Sequence, residues 1–238
     1  MEQVIKPIDG LSFFCSWSGG KDSCLALHHA IQNGGIPKYL FTMMTEDHHT
    51  SRSHGLSRSL LEQQAQQLGI PIVFRSATWG EYEATFLSAL HEFNAGGVEA
   101  GVFGDIDVES NRDWCLRVCN STGILPFHPL WKRPRHDLLE EFIDLQFKAR
   151  IVVTKADKLG SEWLGRAIDR DTLVELEKAG IDASGELGEY HTVVTDGPIF
   201  QSGIVLNTRE PVLHDGYWFM RVSVADSEGW NSRLENGT

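Results

Sequence analysis

The chain has 238 residues, of which 41% are hydrophobic and 23% are charged, and its net charge is −12. These values are typical of a globular protein with one large or two modest domains, and the acidic balance counts against non-specific nucleic-acid binding. No apolar run is long enough to span a membrane, and no basic segment followed by an apolar core suggests a signal peptide. We therefore expect a cytoplasmic location.

The first half of the chain predicts alternating strands and helices. Strands are predicted at residues 11–16, 39–44, 71–74 and 100–103, and helices at residues 22–33, 53–68, 81–93 and 109–122. This alternation is typical of a doubly wound, Rossmann-like α/β fold, in which helices cover both faces of a parallel sheet. Ligands of such sheets bind beyond the carboxyl ends of the strands, at the point where the strand order reverses.

The second half differs in character. Two prolines and several bulky side chains at residues 126–131 suggest a joint, followed by a predicted helix at 134–147 and a predicted strand at 149–154. A further helix is predicted at 171–179 with Asp171 as its N-cap, and strand-like runs continue to Val224. We therefore predict an α/β domain of residues 1–128 and a smaller α+β domain of residues 129–238. The sequence is compatible with a homo-oligomer.

A Gly-rich stretch, which we call the phosphate loop, joins the first predicted strand to the first predicted helix. It consists of Ser18, Gly19, Gly20, Lys21, Asp22 and Ser23. Backbone N–H groups at a helix N-terminus attract anions, and glycines remove the Cβ atoms that would keep a phosphate away. The serines add hydroxyl donors and Lys21 adds a positive charge. The spacing matches neither a Walker A motif nor a dinucleotide fingerprint, and it predicts a phosphate or pyrophosphate site.

A second polar stretch lies near the end of the chain. This acidic loop, residues 185–192, reads Gly-Glu-Leu-Gly-Glu-Tyr-His-Thr. Acid and base side chains on loops are frequent at active sites, and Glu186 and Glu189 could bind Mg²⁺, orient an amine or accept its proton. Taken alone, the stretch is also typical of a polar hairpin that enters a strand.

In combination, these motifs resemble those of the diphthine–ammonia ligase family. The resemblance spans roughly residues 13–200 and rests on S-G-G-K-D-S at 18–23, G-D-I at 104–106, P-L-W at 129–131, W-L-G at 163–165, G-E-x-G-E-Y-H-T at 185–192 and D-G-P-x-F at 196–200. It implies an N-terminal PP-loop domain of the HUP type and cleavage of ATP into AMP and pyrophosphate. It also implies amidation of diphthine on elongation factor 2, with ATP, Mg²⁺ and ammonia as the other participants.

The resemblance also implies individual roles. The nucleotide would be bound by Ser18, Gly19, Gly20, Lys21, Asp22, Ser23, Gly104 and Asp105, while Glu186, Glu189, Tyr190 and His191 would serve the acyl-adenylate and ammonia half of the reaction, with Gly188 and Thr192 near the substrate. Lys21 would stabilise the pyrophosphate leaving group. Asp22 is a candidate Mg²⁺ ligand, although capping the first helix is an equally good role for it.

One region departs from the family pattern. Residues 45–55, which we call the recognition segment, contain three histidines and the run Ser-Arg-Ser-His-Gly in place of a Met-His-x-Tyr-like run. We interpret this segment as a substrate-recognition loop in which Arg52 and His54 pair with a carboxylate or phosphate. The acceptor is therefore diphthine or another acid.

Four cysteines and several tryptophans carry weaker signals. The cysteines form no C-x-x-C, and Cys115 and Cys119 have no ligating His near them in sequence, so we expect buried thiols rather than a metal site. Trp17 is the aromatic side chain expected to touch the ligand, whereas Trp114 and Trp131 are expected to pack. Arg112 could reach the phosphates or face solvent.

Two other functions stay open at this point. A PP-loop enzyme could adenylate another substrate such as tRNA, but the net charge of −12 and the lack of a basic segment count against it. A non-catalytic HUP nucleotide-binding protein would not need the intact Lys21, Asp22 and Ser23 together with the acidic loop.

Overall fold

The computed structural model describes residues 8–52 and 54–225. The strands are β1 Ser12–Ser16, β2 Ile36–Met44, β3 Ile72–Ser76, β4 Ala100–Val102, β5 Leu125–Phe127, β6 Lys148–Lys155, β7 Tyr190–Asp196, β8 Leu206–Thr208, β9 Val212–His214, β10 Tyr217–Phe219 and β11 Val222–Val224. The helices are α1 Lys21–Gln32, α2 Arg58–Leu68, α3 Tyr82–Ala95, α4 Glu109–Thr122, α5 Arg135–Asp144 and α6 Arg170–Lys178, with a short 3-10 helix at Ser161–Trp163. None of the described helices is long and apolar enough to cross a membrane.

The first sheet has the strand order β3-β2-β1-β4-β5, and all of its neighbouring strands are parallel. Because β1 lies between β2 and β4, the order of the strands reverses between β1 and β4. The doubly wound α/β fold predicted from the sequence is confirmed. At this reversal the carboxyl ends of β1 and β4 border one crevice. The phosphate loop follows β1 and Gly104 follows β4, so both lie at this crevice.

Both faces of this sheet are covered by apolar side chains. Phe13 and Phe14 are adjacent on β1, so their side chains point to opposite faces. Phe13 packs into the core formed with α1 and α2, and Phe14 packs among aromatic rings that include Phe41, Phe86 and Phe93. Each of these fully buried rings stabilises the fold by about 2 kcal/mol, which fixes the sheet that carries the loops.

The second sheet is antiparallel, with the order β7-β6-β10-β9, and β11 pairs with β8 beside it. Strand β7 lies against the start of α1. The Val194 N–H on β7 donates to the Gly19 carbonyl at 2.9 Å, so a backbone hydrogen bond joins this sheet to the phosphate loop.

The structure corrects several predicted boundaries. Strand β5, Leu125–Phe127, overlaps the start of the stretch interpreted as a joint, and Pro126 fits there because β5 is an edge strand. Helix α2 begins at Arg58 rather than at residue 53, which lies outside the described residues. Its N-cap is Ser57, whose hydroxyl accepts the Leu60 N–H at 3.3 Å.

Two further corrections concern the second half of the chain. The N-cap of α6 is Asp169 rather than Asp171, because the Asp169 carboxylate accepts the Thr172 N–H at 2.8 Å. The last three residues of the acidic loop, Tyr190 to Thr192, already belong to β7. They form a strand because their backbone pairs with β6, which sequence pattern alone does not reveal.

Candidate active site

The phosphate loop follows β1 and ends in the first turn of α1. Ser18 and Ser23 face each other with their hydroxyl oxygens 3.0 Å apart, and the Gly20 N–H donates to the Ser18 hydroxyl at 3.3 Å. Gly20 occupies the N-cap position of α1. Asp22 therefore lies in the first turn, and the alternative that it caps the helix is wrong.

Gly19 has a conformation and a packing that only glycine fits. Its φ is +81°, and a Cβ at this position would lie 2.7 Å from both the Gln64 Oε1 and a methyl of Leu56. The Gln64 side chain is fully buried and donates to the Gly19 carbonyl at 3.0 Å and to the Val194 carbonyl at 2.7 Å. Gln64 thus fastens the phosphate loop to β7.

Lys21 is buried, with 6% of its surface exposed. Its ammonium donates to the Asp22 carboxylate at 2.8 Å and to the Ser184 carbonyl, and it lies 5.4 Å from the centre of the Tyr190 ring. Burial by itself lowers the pKa of Lys21, but Asp22, Tyr190 and Glu186 together outweigh burial and raise this pKa above its ordinary value. A fixed positive charge therefore lies beside the phosphate loop.

An open cleft of about 410 Å³ lies at the reversal point of the sheet. Its polar lining includes Ser18, Asp22, Ser23 and Asp105, and its apolar lining is largely aromatic. A Cβ on Gly104 would lie 2.9 Å from the backbone of Asp22 and Ser23, so the chain after β4 touches the start of α1. The structure thus brings together the two stretches that the sequence assigned to the nucleotide.

Trp17, which the sequence predicts to touch the ligand, does not line the main cleft. Trp17 is 2% exposed, and its indole N–H donates to the Gln64 Oε1 at 3.0 Å, so this side chain belongs to the core. The cleft is lined instead by Trp79, Tyr82 and Trp114, and Trp79 is 75% exposed. An exposed Trp directly after a strand that ends at the ligand edge is the sequence signal that could have identified this side of the cleft.

The acidic loop is docked onto the phosphate loop by Thr192. The Lys21 N–H donates to the Thr192 hydroxyl at 3.0 Å, and the His54 Nδ1 lies 2.8 Å from the Thr192 carbonyl. The Tyr190 hydroxyl donates to the Ala183 carbonyl, which closes the loop on itself. Two motifs that are about 170 residues apart in sequence therefore share one site.

The two acidic side chains of this loop have different surroundings. Glu189 is buried, and its carboxylate accepts the Leu187 N–H at 3.1 Å, so it stabilises the turn of its own loop. Glu186 lies close to the charged groups of the phosphate loop. Burial raises the pKa of Glu186 to about 7, and the Asp22 carboxylate adds to this shift. Glu186 is the acidic side chain of the loop that titrates near neutral pH.

Arg135 connects the acidic loop to the first sheet, and sequence reasoning missed it. Its guanidinium donates two hydrogen bonds to Asp107, at 2.8 and 2.7 Å, and one to Asp182 at 2.6 Å. Asp182 in turn accepts the Glu186 N–H at 3.0 Å. Asp107 after β4, Arg135 on α5 and Asp182 therefore form a chain of hydrogen bonds that positions the backbone of Glu186. No local sequence pattern could indicate this connection.

The two histidines of the site, His54 and His191, are half-buried. The rings of His54 and His191 lie 4.7 Å apart, and burial lowers the pKa of both, that of His191 to about 3. A Cβ on Gly20 would lie 2.2 Å from the His54 ring. His54 therefore packs on the phosphate loop, and its contact with a substrate stays a prediction.

Arg52 and Ser18 of the phosphate loop line the same small pocket. This pocket of about 80 Å³ adjoins the main cleft, and the Arg52 guanidinium lies 4.5 Å from the centre of the Trp79 ring. The same guanidinium donates to Glu46 at 3.1 Å and to the Ala77 carbonyl. Arg112 does not approach the phosphate loop in a comparable way, because it stacks on Trp131 at 4.7 Å.

Comparison with family models gives matches in both halves of the chain. Residues 13–126 match the diphthamide synthase N-terminal domain, and residues 134–226 match the diphthamide synthase C-terminal domain. Together the two matches cover most of the chain. They contain both the phosphate loop and the acidic loop.

Curated relatives give a similar result. A diphthine–ammonia ligase from Mus musculus is 26% identical over 236 residues, which cover 87% of this chain and 86% of that protein. One from Homo sapiens is 33% identical over 130 residues, which cover 53% of this chain and 49% of that protein. A solved structure from Methanocaldococcus jannaschii, described as a predicted subunit of tRNA methyltransferase, covers 79% of this chain and 98% of its own at 16% identity and a TM-score of 0.44, a likeness too low to carry an argument.

Proposed function

The chain belongs to the diphthamide synthase family, and from this premise we propose that it is an ATP-dependent ligase that joins ammonia to a carboxylate, with diphthine as the first acceptor to test. The relatives named diphthine–ammonia ligase support this proposal. The observation that carries it is the docking of the acidic loop onto the phosphate loop, through the hydrogen bond from the Lys21 N–H to Thr192. One site then serves both activation and amide formation.

In the first half of the reaction, an oxygen of the acceptor carboxylate attacks the α-phosphorus of ATP. The α–β phosphoanhydride bond breaks, pyrophosphate leaves and an acyl-adenylate forms. The N-terminus of α1 with Gly19 and Gly20 binds phosphate oxygens, and Ser18 and Ser23 donate hydroxyl hydrogen bonds. The ammonium of Lys21 balances the charge that develops on the pyrophosphate.

In the second half, the nitrogen of ammonia attacks the acyl carbon and AMP leaves with its bonding electrons. The attacking nitrogen must lose a proton, and we assign its acceptance to the Glu186 carboxylate because the pKa of this group is about 7. Glu189 holds the turn that presents Glu186. Tyr190 packs beneath Lys21, and His191 packs on His54, so both are positioning residues in this proposal.

The acidic groups at the cleft fit a Mg²⁺ ion. Burial raises the pKa of both Asp105 and Glu186, and the Asp22 carboxylate raises it further, which means that the three carboxylates lie close enough to repel one another. Mg²⁺ prefers oxygen ligands and usually shares them with substrate phosphates. We propose that Asp22 would hold the ion together with oxygens of the nucleotide phosphates, and that the ion would neutralise phosphate charge. Asp105 and Gly104 are assigned to the nucleotide.

The recognition segment and Gly188 are assigned to the acceptor. Gly188 has a φ of +79° and open space on its Cβ side, so the tip of the acidic loop is accessible to a carboxylate carried by another molecule. Arg52 and His54 flank the phosphate loop from the recognition segment.

We further propose a domain boundary between residues 128 and 129. We also propose a cytoplasmic location, which suits four buried cysteines that form no disulfide.

The test is product analysis with ATP, Mg²⁺, ammonium and candidate acceptors. We expect AMP and pyrophosphate in amounts equal to the amide formed, with diphthine-bearing elongation factor 2 compared with free carboxylic acids. Production of ADP and phosphate would overturn the proposed cleavage. Tight ATP binding without turnover on any acceptor would favour a nucleotide-binding protein without catalysis.

A further inference from the structure

Three potential metal ligands converge beside the cleft, and the proposed reaction uses only one of them, for binding the nucleotide. They are Asp105 after β4, Cys115 on α4 and His128 directly after β5. One ligand atom from each lies within 4.8 Å of the other two. The Cys115 Sγ is 3.7 Å and the His128 Nε2 is 3.6 Å from the same oxygen, Oδ2, of Asp105.

We propose that Asp105, Cys115 and His128 bind a divalent cation of the zinc class, with the fourth coordination position open toward the cleft. Zinc–ligand bonds of about 2.0–2.3 Å in a tetrahedron separate neighbouring ligand atoms by roughly 3.3–3.8 Å. The two separations to the Asp105 oxygen, 3.7 Å from Cys115 and 3.6 Å from His128, lie within that range. Asp105 and Cys115 also line the cleft, so a cation held by this trio would border it.

His128 supplies an independent observation. Its side chain is only 5% exposed, and its Nε2 is buried without a hydrogen-bond partner. The ring stacks on Phe103 with centroids 5.2 Å apart, which fixes the direction of Nε2 toward Asp105. A buried polar nitrogen without a partner is costly, and binding a cation would remove that cost.

An ion pair between His128 and Asp105 does not explain this arrangement. The His128 side chain is 5% exposed and lies near the positive charge of Arg112, surroundings that disfavour a charged imidazolium. A neutral imidazole nitrogen is the form of histidine that binds metals. The 3.6 Å separation is also too long for a hydrogen bond to the carboxylate.

The donor set favours zinc over magnesium. Thiolate and imidazole are soft or borderline ligands that suit zinc, whereas Mg²⁺ prefers an all-oxygen octahedron. A doubly charged cation with one thiolate, one carboxylate and one neutral imidazole is neutral overall, which suits a buried site. Binding would deprotonate Cys115, whose S–H otherwise points to Asp105, and release one proton to solvent.

This inference does not rest on the proposed ligase activity, because zinc binding is measurable without ATP. The full-length protein is stripped of metal and titrated with Zn²⁺ against a chromophoric chelator. We expect one tight site per chain, and Cys115→Ala or His128→Gln should each weaken binding by at least about 100-fold. Cys119→Ala is the matched control, because Cys119 is buried on the same helix one turn away and should retain the affinity.

A second measurement needs no variant. Co²⁺ bound to the unaltered protein should give the intense near-ultraviolet absorption of a cobalt–thiolate bond and visible bands of a tetrahedral site. Absence of the thiolate absorption would overturn the proposal even if zinc binds elsewhere. So would equal affinity in Cys115→Ala and the unaltered protein, or a loss in Cys119→Ala as large as that in Cys115→Ala, with circular dichroism confirming that each variant is folded.

Discussion

The phosphate loop has one glycine at positive φ, Gly19, and the acidic loop has two, Gly185 and Gly188. Gly19 and Gly188 differ most clearly in their surroundings. Gly19 has a φ of +81° and is packed on its Cβ side by Gln64 and Leu56. Gly188 has a φ of +79°, and no atom lies within 4 Å of the position of its Cβ. The same backbone conformation therefore serves close packing at Gly19 and open access at Gly188, the tip of the acidic loop, whereas Gly185 at the base of that loop is packed against Tyr190.

The side chains of the two loops also differ in exposure, with a buried charge in the phosphate loop and an exposed apolar side chain at the tip of the acidic loop. Lys21 of the phosphate loop is 6% exposed, whereas Leu187 at the tip of the acidic loop is 69% exposed. A buried, prepositioned cation suits a small ligand that always binds in the same way. An exposed apolar side chain next to an ionisable carboxylate suits an acceptor that approaches from outside. Predictions that change one loop but not the other test this division.

The largest expected effect is that of Lys21→Ala on catalysis. Removing the buried ammonium leaves the Asp22 carboxylate without its partner and the pyrophosphate without its counter-charge. We expect AMP formation to fall roughly 10³-fold in a steady-state pyrophosphate assay. Lys148→Ala, which removes a 70% exposed ammonium, serves as the control and should leave the rate unchanged. AMP formation within tenfold of the unaltered protein would contradict the role assigned to Lys21.

The second prediction compares Gly19→Ala with Gly188→Ala. In both variants a Cβ is forced into a positive-φ conformation, which costs roughly 1–2 kcal/mol. Only at Gly19 does the methyl also clash with packed side chains, which adds roughly 1–3 kcal/mol. Urea unfolding should therefore show a loss of about 2–5 kcal/mol for Gly19→Ala and about 1–2 kcal/mol for Gly188→Ala. Equal losses would mean that the two loops are packed alike.

The third prediction concerns the pH dependence introduced by Glu186. Because its pKa is about 7 when folded and near 4.5 when unfolded, the folded protein binds more protons between these values. Stability is therefore lost as the pH rises through this window. Glu186→Gln removes that loss, so the variant should be more stable than the unaltered protein at pH 8, by roughly 1–3 kcal/mol, and similar to it near pH 4.5.

Activity separates this role from a purely structural one. Glu186→Gln should still bind ATP but fail to form the amide, and the unaltered protein should gain amide-forming rate as the pH rises through about 7. Glu189→Gln provides the comparison, because Glu189 holds the turn of its loop. Its loss should lower the rate without removing the pH dependence near 7. Full activity of both variants would remove the acidic loop from the mechanism.

Elements with a strong local pattern were predictable from the sequence. The phosphate loop was recognised because a strand, two glycines and a helix follow one another within about 20 residues, and α4 was predicted at its observed bounds. The doubly wound fold and the family resemblance are confirmed. Gln64 offered a further signal, since it is a polar residue on the apolar face of α2, and it proves to hold the phosphate loop.

Features that depend on distant contacts were not predictable. Strand β5 has only three residues, and it forms because β4 supplies a parallel partner. Trp17 follows the apolar run of β1 and was expected to meet the ligand, but Gln64 and the surrounding core bury it. Cys115 was set aside as a metal ligand for lack of a nearby His, although β5 returns His128 to it. In each case the deciding neighbour is remote in sequence.

Arg135 gives the smallest of the four predicted effects and tests what holds the acidic loop in place. Arg135→Gln removes charged hydrogen bonds to Asp107 and Asp182, so we expect about 1–2 kcal/mol lower stability in urea unfolding and a several-fold slower amide-forming step. Lys132→Gln removes the exposed pair with Glu109 and should change stability by less than about 0.5 kcal/mol. Because Arg135 reaches the loop from α5 and does not line the cleft, ATP-dependent protection against unfolding should be unchanged. If ATP binding weakens as much as amide formation, Arg135 supports the whole site rather than the acidic loop, and the division between the two loops is wrong.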